Sequence, residues 1–352
     1  MRRRPSGGAA LLLAALLSAS CSSGHGRAQT TGRVDVAEAP PSTLAVPEIS
    51  TTTTTVLPPA SATTAAPPAT TAAAVRPKPA RKPATTSPPA PPRPPADGPV
   101  LGPKANRVVG PAPTDPAELD RLTDRLVADE LALRAPGTPP GEIAGLAQDQ
   151  QAAYRAISAR MEVLPRVLRR VPEGLRSRVE NNATAGAELR ALAGSPRTEL
   201  PPWRIVPPPP ADELQRYYRE AEERYGVPWR FLASVHLVET RMGRIRGTST
   251  AGAQGPMQFL PGTWARYGEG GDINSARDSI LAAARYLKAH GAPGDMARAL
   301  YAYNRADRYV RAVTRYADQI QADPRMYAAY YHWQVYYITT KGDVLLEEGY
   351  GS

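Results

Sequence analysis

The aromatic residues are confined to one part of the chain, and this distribution limits where a folded core can form. The sequence has 352 residues, and every Phe, Trp and Tyr lies at or after Tyr154. Of its 39 prolines, 20 lie between Pro40 and Pro113, mostly among Thr, Ala, Lys and Arg. Such a segment buries too little apolar surface to offset its conformational entropy. We therefore predict a disordered Pro/Thr/Ala-rich stalk over residues 21–113, followed by a mainly α-helical folded part.

The N-terminus has the pattern of an export signal. Three arginines follow Met1, an apolar run extends over residues 9–17, and small residues lead to Cys21. The apolar run is too short to span a bilayer, so residues 1–20 are interpreted as a signal peptide. Cys21 is the single cysteine of the chain, which excludes an internal disulfide. Its position predicts lipid acylation, although the residues before it also suit an ordinary signal peptidase.

The net charge of +10 belongs mainly to the predicted signal and stalk. Residues 1–110 contain 12 Lys/Arg and 4 Asp/Glu, whereas the remaining residues contain 31 and 29. The folded part is therefore close to neutral, which argues against a nucleic-acid partner. The basic stalk would attract anionic wall polymers or lipid headgroups, or would simply keep a Pro-rich segment soluble.

Apolar periodicity predicts helices throughout the folded part. Residues 114–199 contain four amphipathic stretches, which indicate a small helical domain that packs on its neighbour or flanks its cleft. A Pro-rich connector follows over residues 200–211, and residues 212–322 contain a second set of helices. The extension over residues 323–352 is crowded with Tyr and Trp and ends in a predicted β-hairpin. Its aromatic side chains would pack onto the folded part or stack on sugar rings.

Glu239 lies in an apolar helical stretch and is the strongest candidate for a catalytic residue. Phe231, Val235, Val238 and Met242 form one stripe of this helix, and Glu239 lies roughly 70° from its centre. A carboxyl group at the edge of a buried face can line a cleft. Desolvation there raises its pKa and keeps it protonated near neutral pH, as a general acid requires.

Three segments around this helix together resemble one enzyme family. They are, in order, Glu239 with Thr240, the segment Gly255-Pro-Met257-Gln258, and the segment Ala302-Tyr303-Asn304. With this order and spacing, residues 212–322 resemble the lytic transglycosylases of the lysozyme-like superfamily, in particular the secreted type of actinobacteria. The resemblance implies a lysozyme-like α domain that cleaves the glycan strands of bacterial peptidoglycan.

The resemblance also implies roles for the matching residues. Glu239 would protonate the glycosidic oxygen and then, as a carboxylate, accept the proton of the MurNAc C6 hydroxyl group. Thr240, Met257, Gln258, Tyr303 and Asn304 would bind or position the substrate. Most glycosidases use a second carboxylate, but none follows Glu239 until Glu269. The resemblance implies instead that the C6 hydroxyl group attacks the anomeric carbon and leaves a 1,6-anhydro-MurNAc end.

Two other functions remain open at this stage. One is a hydrolytic muramidase of the same fold, and the other is a catalytically silent peptidoglycan-binding module. We expect no cofactor and no required metal, since the loop before the Asp-x-Ile segment lacks calcium-ligand spacing. We also expect a monomeric, extracytoplasmic lipoprotein anchored to the membrane at the cell wall.

Overall fold

A computed structural model describes residues 107–352. The predicted signal peptide, Cys21 and nearly all of the predicted stalk lie outside these residues. The chain is mainly helical, as the sequence predicts. The helices, in chain order, are α1 Pro116–Arg134, α2 Pro140–Ser158, α3 Leu164–Arg170, α4 Glu173–Ala193, α5 Ala211–Tyr225, α6 Trp229–Thr240, α7 Pro261–Tyr267, α8 Ala276–Ala289, α9 Met296–Tyr303, α10 Asp307–Ala322 and α11 Arg325–Tyr331.

Within residues 107–352, five short strands form two antiparallel sheets. They are β1 Val108–Val109, β2 Arg204–Ile205, β3 Ile245–Arg246, β4 Val335–Thr339 and β5 Gly342–Leu346. The first sheet has the order β1-β5-β4, and β2 pairs with β3 in the second. The hairpin predicted for the C-terminal extension is thus present as β4 and β5, with Val335 opposite Leu346.

Some residues assigned to the predicted stalk, within 108–112, contact the helices and the first sheet. Val108 pairs with Val344 in the first sheet, and Ala112 is fully buried. The backbone N–H group of Ala112 also donates a 2.8 Å hydrogen bond to the carbonyl oxygen of Ala156. Proline content alone did not predict the strand at Val108–Val109, because this short edge strand pairs with a hairpin that lies far away in the sequence.

One cluster of buried hydrophobic side chains includes residues from both α1–α4 and α5–α11. Helix α10 packs along α4 on one side and along α6 on another. Glu188 of α4 accepts hydrogen bonds from Arg308 and Arg311 of α10, at 2.9 and 2.7 Å. The helices before residue 200 therefore contact the helix next to α6. The boundary between the two parts stays a prediction.

Most aromatic residues of the C-terminal extension are packed in the interior. Tyr327, Tyr330 and Trp333 are at most 5% exposed, and Tyr330 donates a 2.6 Å hydrogen bond to Asn182 of α4. The indole N–H group of Trp333 donates to Gln150 of α2 at 3.1 Å. These rings join the extension to the helices, so of the two alternatives the structure supports packing. Sugar stacking by these rings would require them to be exposed.

Candidate active site

Helix α6 lies at the centre of the helices and carries Glu239. Pro228 precedes its first residue, and Arg241 ends it in a left-handed conformation with φ 53°. The prediction of a single buried face is too narrow, because every residue of α6 except Arg230 is buried. Helices α5, α8, α10 and α11 surround it. An apolar stripe forms on a helix that has one solvent-facing side, and a central helix has no such side.

Glu239 is 2% exposed and has one hydrogen-bond partner among the described residues, the hydroxyl group of Tyr309. That group donates to Oε1 of Glu239 at 2.8 Å. Burial raises the pKa of the Glu239 carboxyl group to about 8, and the hydrogen bond from Tyr309 acts in the opposite direction. Glu239 is therefore protonated at neutral pH, as a general acid must be.

The segment from Gly252 to Phe259 is held against the end of α6. Backbone groups of Gln254 and Phe259 exchange two hydrogen bonds of 2.9 Å, which close a tight loop. The hydroxyl group of Thr240 donates to the carbonyl oxygen of Pro256 at 2.6 Å and accepts from the N–H group of Gly243 at 3.1 Å. Thr240 is fully buried, so its side chain joins α6 to this loop.

Gln258 adopts a left-handed backbone conformation, with φ 52°, that few non-glycine residues occupy. Its side-chain Nε2 donates a 3.0 Å hydrogen bond to the carbonyl oxygen of Gly255. Its Oε1 is buried and has no partner among residues 107–352. Nδ2 of Asn304, the residue that ends α9, is likewise buried without a partner in that range. These two amides retain unused hydrogen-bonding capacity, which buried polar groups rarely do.

Tyr303 connects the loop to the residue that contacts Glu239. It is fully buried, and its hydroxyl group donates a 2.6 Å hydrogen bond to the carbonyl oxygen of Met257. Its ring is parallel to that of Tyr309, with 6.5 Å between centroids. Met257 is also fully buried. Tyr303 and Met257 therefore position the loop and Tyr309 in this structure, and neither exposes a side chain.

Tyr309 is the site residue that the sequence reasoning missed. The apolar stripe of α10 is buried and includes Tyr309, Ala312, Val313 and Tyr316. On that pattern a tyrosine is indistinguishable from a core residue. The position of its hydroxyl group beside Glu239 depends on the packing of α10 against α6.

The segment that contains this site matches a known protein family. Residues 216–324 match the family model of the transglycosylase SLT domain. This segment is a transglycosylase SLT domain. It contains Glu239, the Gln258 loop, Tyr303 and Tyr309, and it agrees with the resemblance that the sequence shows.

One similar protein is the membrane-bound lytic murein transglycosylase F of Thiobacillus denitrificans. It is 32% identical over 124 residues, which make up 33% of this chain and 26% of the relative. The chain thus matches about a quarter of that relative's length. No solved structure gives a significant match.

Among residues 107–352, none of the helices is both long enough and apolar enough to span a membrane. No three His, Cys, Asp or Glu side chains in the range are grouped as metal ligands would be. The expectation that no metal is required stays a prediction.

Proposed function

We propose that the protein is a peptidoglycan lytic transglycosylase that cleaves MurNAc-β-1,4-GlcNAc bonds and leaves 1,6-anhydro-MurNAc ends. The observation that carries the proposal is the burial of Glu239, which raises its pKa to about 8. A carboxylic acid that keeps its proton at neutral pH can protonate a glycosidic oxygen. The SLT domain match and the murein transglycosylase relative support the substrate class.

In the first proposed step, Glu239 gives its proton to the glycosidic oxygen as the bond to the anomeric carbon of MurNAc breaks. The GlcNAc side leaves with a new hydroxyl group. The carboxylate formed on Glu239 accepts a hydrogen bond from Tyr309 at 2.8 Å, which favours the charged form. The N-acetyl group of MurNAc assists at the anomeric carbon.

In the second step, the C6 hydroxyl group of the same MurNAc forms a bond to the anomeric carbon and displaces the assisting N-acetyl oxygen from it. Glu239 takes the hydroxyl proton and returns to its acid form, so the cycle consumes no water. Burial raises the pKa of Glu239, and Tyr309 provides its hydrogen bond. One residue can thus act as acid and then as base.

Gln258 and Asn304 are the proposed substrate contacts. Oε1 of Gln258 and Nδ2 of Asn304 are an acceptor and a donor without partners among the described residues. An N-acetyl sugar has amide and hydroxyl groups that could bind both. Thr240, Met257 and Tyr303 are proposed to position these two residues and Glu239, since their polar groups already bind protein atoms.

We further propose that the enzyme acts outside the cytoplasm as a monomer, anchored to the membrane through an acylated Cys21. The signal-like N-terminus supports export. A Cys21→Ser variant is expected to move from the membrane fraction to the soluble fraction of the envelope. Unchanged membrane association of this variant would contradict acylation at Cys21.

The decisive test is mass spectrometry of muropeptides released from purified sacculi by the full chain, with Glu239→Gln in parallel. Anhydro-muropeptides from the wild type alone are expected. Reducing ends, heavier by one water molecule, would identify a hydrolytic muramidase. Release of nothing by either protein, with retained binding to sacculi, would identify a silent binding module and overturn the proposal.

A further inference from the structure

Outside the site of Glu239, three arginine side chains surround a cavity of about 30 Å³ where α2, α4, α10 and the end of α6 meet. They are Arg155 of α2, Arg190 of α4, and Arg241, which ends α6. Asn182, Tyr316 and Trp333 are among the other residues that line it. Guanidinium groups seldom cluster in a partly buried space without counter-charges.

The cluster has one carboxylate for three cations. Arg155 forms a 2.6 Å ion pair with Asp343, and Nη1 of Arg190 donates to the same carboxylate at 3.0 Å. Among the ion pairs of residues 107–352, none includes Arg241. With Asp343 counted, the group carries two uncompensated positive charges.

The hydrogen-bond donors around the cavity also exceed the acceptors. Nε of Arg155 and Nε of Arg190 are buried and have no partner among the described residues. Oδ1 of Asn182 accepts from Tyr330 at 2.6 Å, so the NH₂ group of this amide is the part left to donate. Arg241 uses Nη1 to donate to the carbonyl oxygen of Leu237 at 2.7 Å.

The shortage of negative charge around the cavity affects the pKa of Arg241. Burial, together with repulsion from Arg155 and Arg244, lowers the pKa of its guanidinium group to about 10, although Tyr316 acts in the opposite direction. A bound anion would remove this repulsion. The cavity size restricts the class of anion, because one water molecule occupies roughly 10–15 Å³ of such a cavity. The cavity therefore has room for about two or three water molecules, which suits a single small ion and is too little for a sugar ring.

We propose that the cavity between Arg155, Arg190 and Arg241 binds a small monovalent inorganic anion of the halide class. The anion supplies the counter-charge that Asp343 alone does not supply. Because Arg241 ends α6, the anion also holds the end of this helix, two residues from Glu239. The site is separate from the substrate contacts and does not depend on the proposed reaction.

The test compares thermal unfolding of the full chain in sodium chloride and in sodium gluconate at equal ionic strength, which removes the contribution of general screening. Chloride is expected to raise Tm by about 2–4 °C and to saturate, as ligand binding to the folded state does. Broadening of the chlorine NMR line by the protein, reversed by bromide, is expected alongside. Arg241→Asn removes the charge with a residue that tolerates the left-handed backbone, and it should abolish both effects.

Arg121→Gln is the matched control, because Arg121 is an exposed arginine of α1 that does not line the cavity. It should retain both chloride effects. If Arg241→Asn does not fold, Arg190→Gln tests the same site, since Arg155 still pairs with Asp343. Equal Tm values in chloride and gluconate, or a chloride effect that survives Arg241→Asn, would overturn the proposal. A larger, Arg241-dependent effect of sulfate would overturn the halide class.

Discussion

The hydroxyl group of Tyr309 donates a 2.8 Å hydrogen bond to Oε1 of Glu239, and this contact joins helix α10 to helix α6 at the candidate active site. Both residues are buried, so the bond forms in a region of low dielectric constant. It lowers the pKa of Glu239, whereas burial raises it. The protonation state of the proposed acid is thus set by two opposing effects.

Tyr309→Phe removes this hydrogen bond and leaves the ring in place. A hydrogen bond to a charged group contributes about 1.5–3 kcal/mol, so kcat is expected to fall about 10- to 100-fold. The pKa of Glu239 should rise further, which moves the basic limb of the pH–activity profile to higher pH. Steady-state rates over a pH series measure both effects.

Tyr316→Phe is the matched control for this substitution. Tyr316 is a buried tyrosine two turns further along α10, and it lines the arginine cavity rather than the Glu239 site. Removal of the Tyr316 hydroxyl group should leave the pH–activity profile unchanged. An identical profile for wild type and Tyr309→Phe would show that the contact does not set the pKa of Glu239.

Glu239→Gln is expected to inactivate the enzyme and to stabilise the fold at high pH. The pKa of Glu239 is 4.5 in the unfolded reference and about 8 in the folded protein. Between these values the folded state holds a proton that the unfolded chain has lost, so wild-type stability falls as pH rises. The stability of the glutamine variant does not fall in this way. At high pH its free energy of unfolding should therefore exceed that of wild type by on the order of a few kcal/mol. Urea unfolding near pH 4.5 and near pH 8 measures the difference.

Glu188→Gln makes the same charge change with the opposite expected trend. Hydrogen bonds from Arg311 and Arg308 lower the pKa of Glu188. Its contribution is therefore present above the unfolded pKa and is lost as pH falls through the folded pKa. The variant should be less stable than wild type at neutral pH. A stability difference for Glu239→Gln that does not vary with pH would contradict the raised pKa.

Gly255→Ala is expected to disrupt the loop that carries Gln258. Gly255 has φ 73°, and a Cβ atom there would lie 2.0 Å from the carbonyl oxygen of Ile273. Gly252 has φ 84°, but a Cβ atom there would meet nothing within 4 Å, so Gly252→Ala incurs only backbone strain of roughly 1–2 kcal/mol. Chemical denaturation should show a clearly larger loss for Gly255→Ala. Equal losses would mean that the loop shifts without cost.

Gln258→Gly and Gln258→Ala separate backbone strain from side-chain function. Glycine accepts φ 52° without strain, so the glycine variant should be more stable than the alanine variant by roughly 1 kcal/mol. Both variants lose the side-chain amide and should lose most of the activity. Denaturation midpoints and muropeptide release measure the two effects. Full activity in either variant would exclude the proposed substrate contact of Gln258.

The sequence was sufficient for the helical class and most helix positions, and it made Glu239 the candidate catalytic residue. Helix periodicity and start signals depend on local residues, so Pro228 and Gly226 mark the junction of α5 and α6 without tertiary information. The same holds for the C-terminal hairpin around Gly342. The order of three short motifs was enough to indicate the SLT domain.

The extent of burial around Glu239 required the tertiary structure. The pattern predicted a carboxyl group at the edge of one buried face, whereas α6 is enclosed on all sides. Tyr309 lies 70 residues from Glu239 in sequence, and its pattern is that of a core residue. Which hydroxyl group meets a carboxylate is decided by the packing of two helices.

The sequence by itself thus determined the helical class and the family that residues 216–324 match, because residue types and their spacing also fix which groups are available as acid, donor or acceptor. Tertiary structure alone decided the burial, protonation and hydrogen bonding of these groups. It buried Glu239 and raised its pKa, turned the Tyr303 and Thr240 hydroxyl groups toward protein atoms, and placed three arginines around one small cavity. The physical reason is that desolvation and hydrogen bonding act through space, between groups that the linear order of the chain does not bring together.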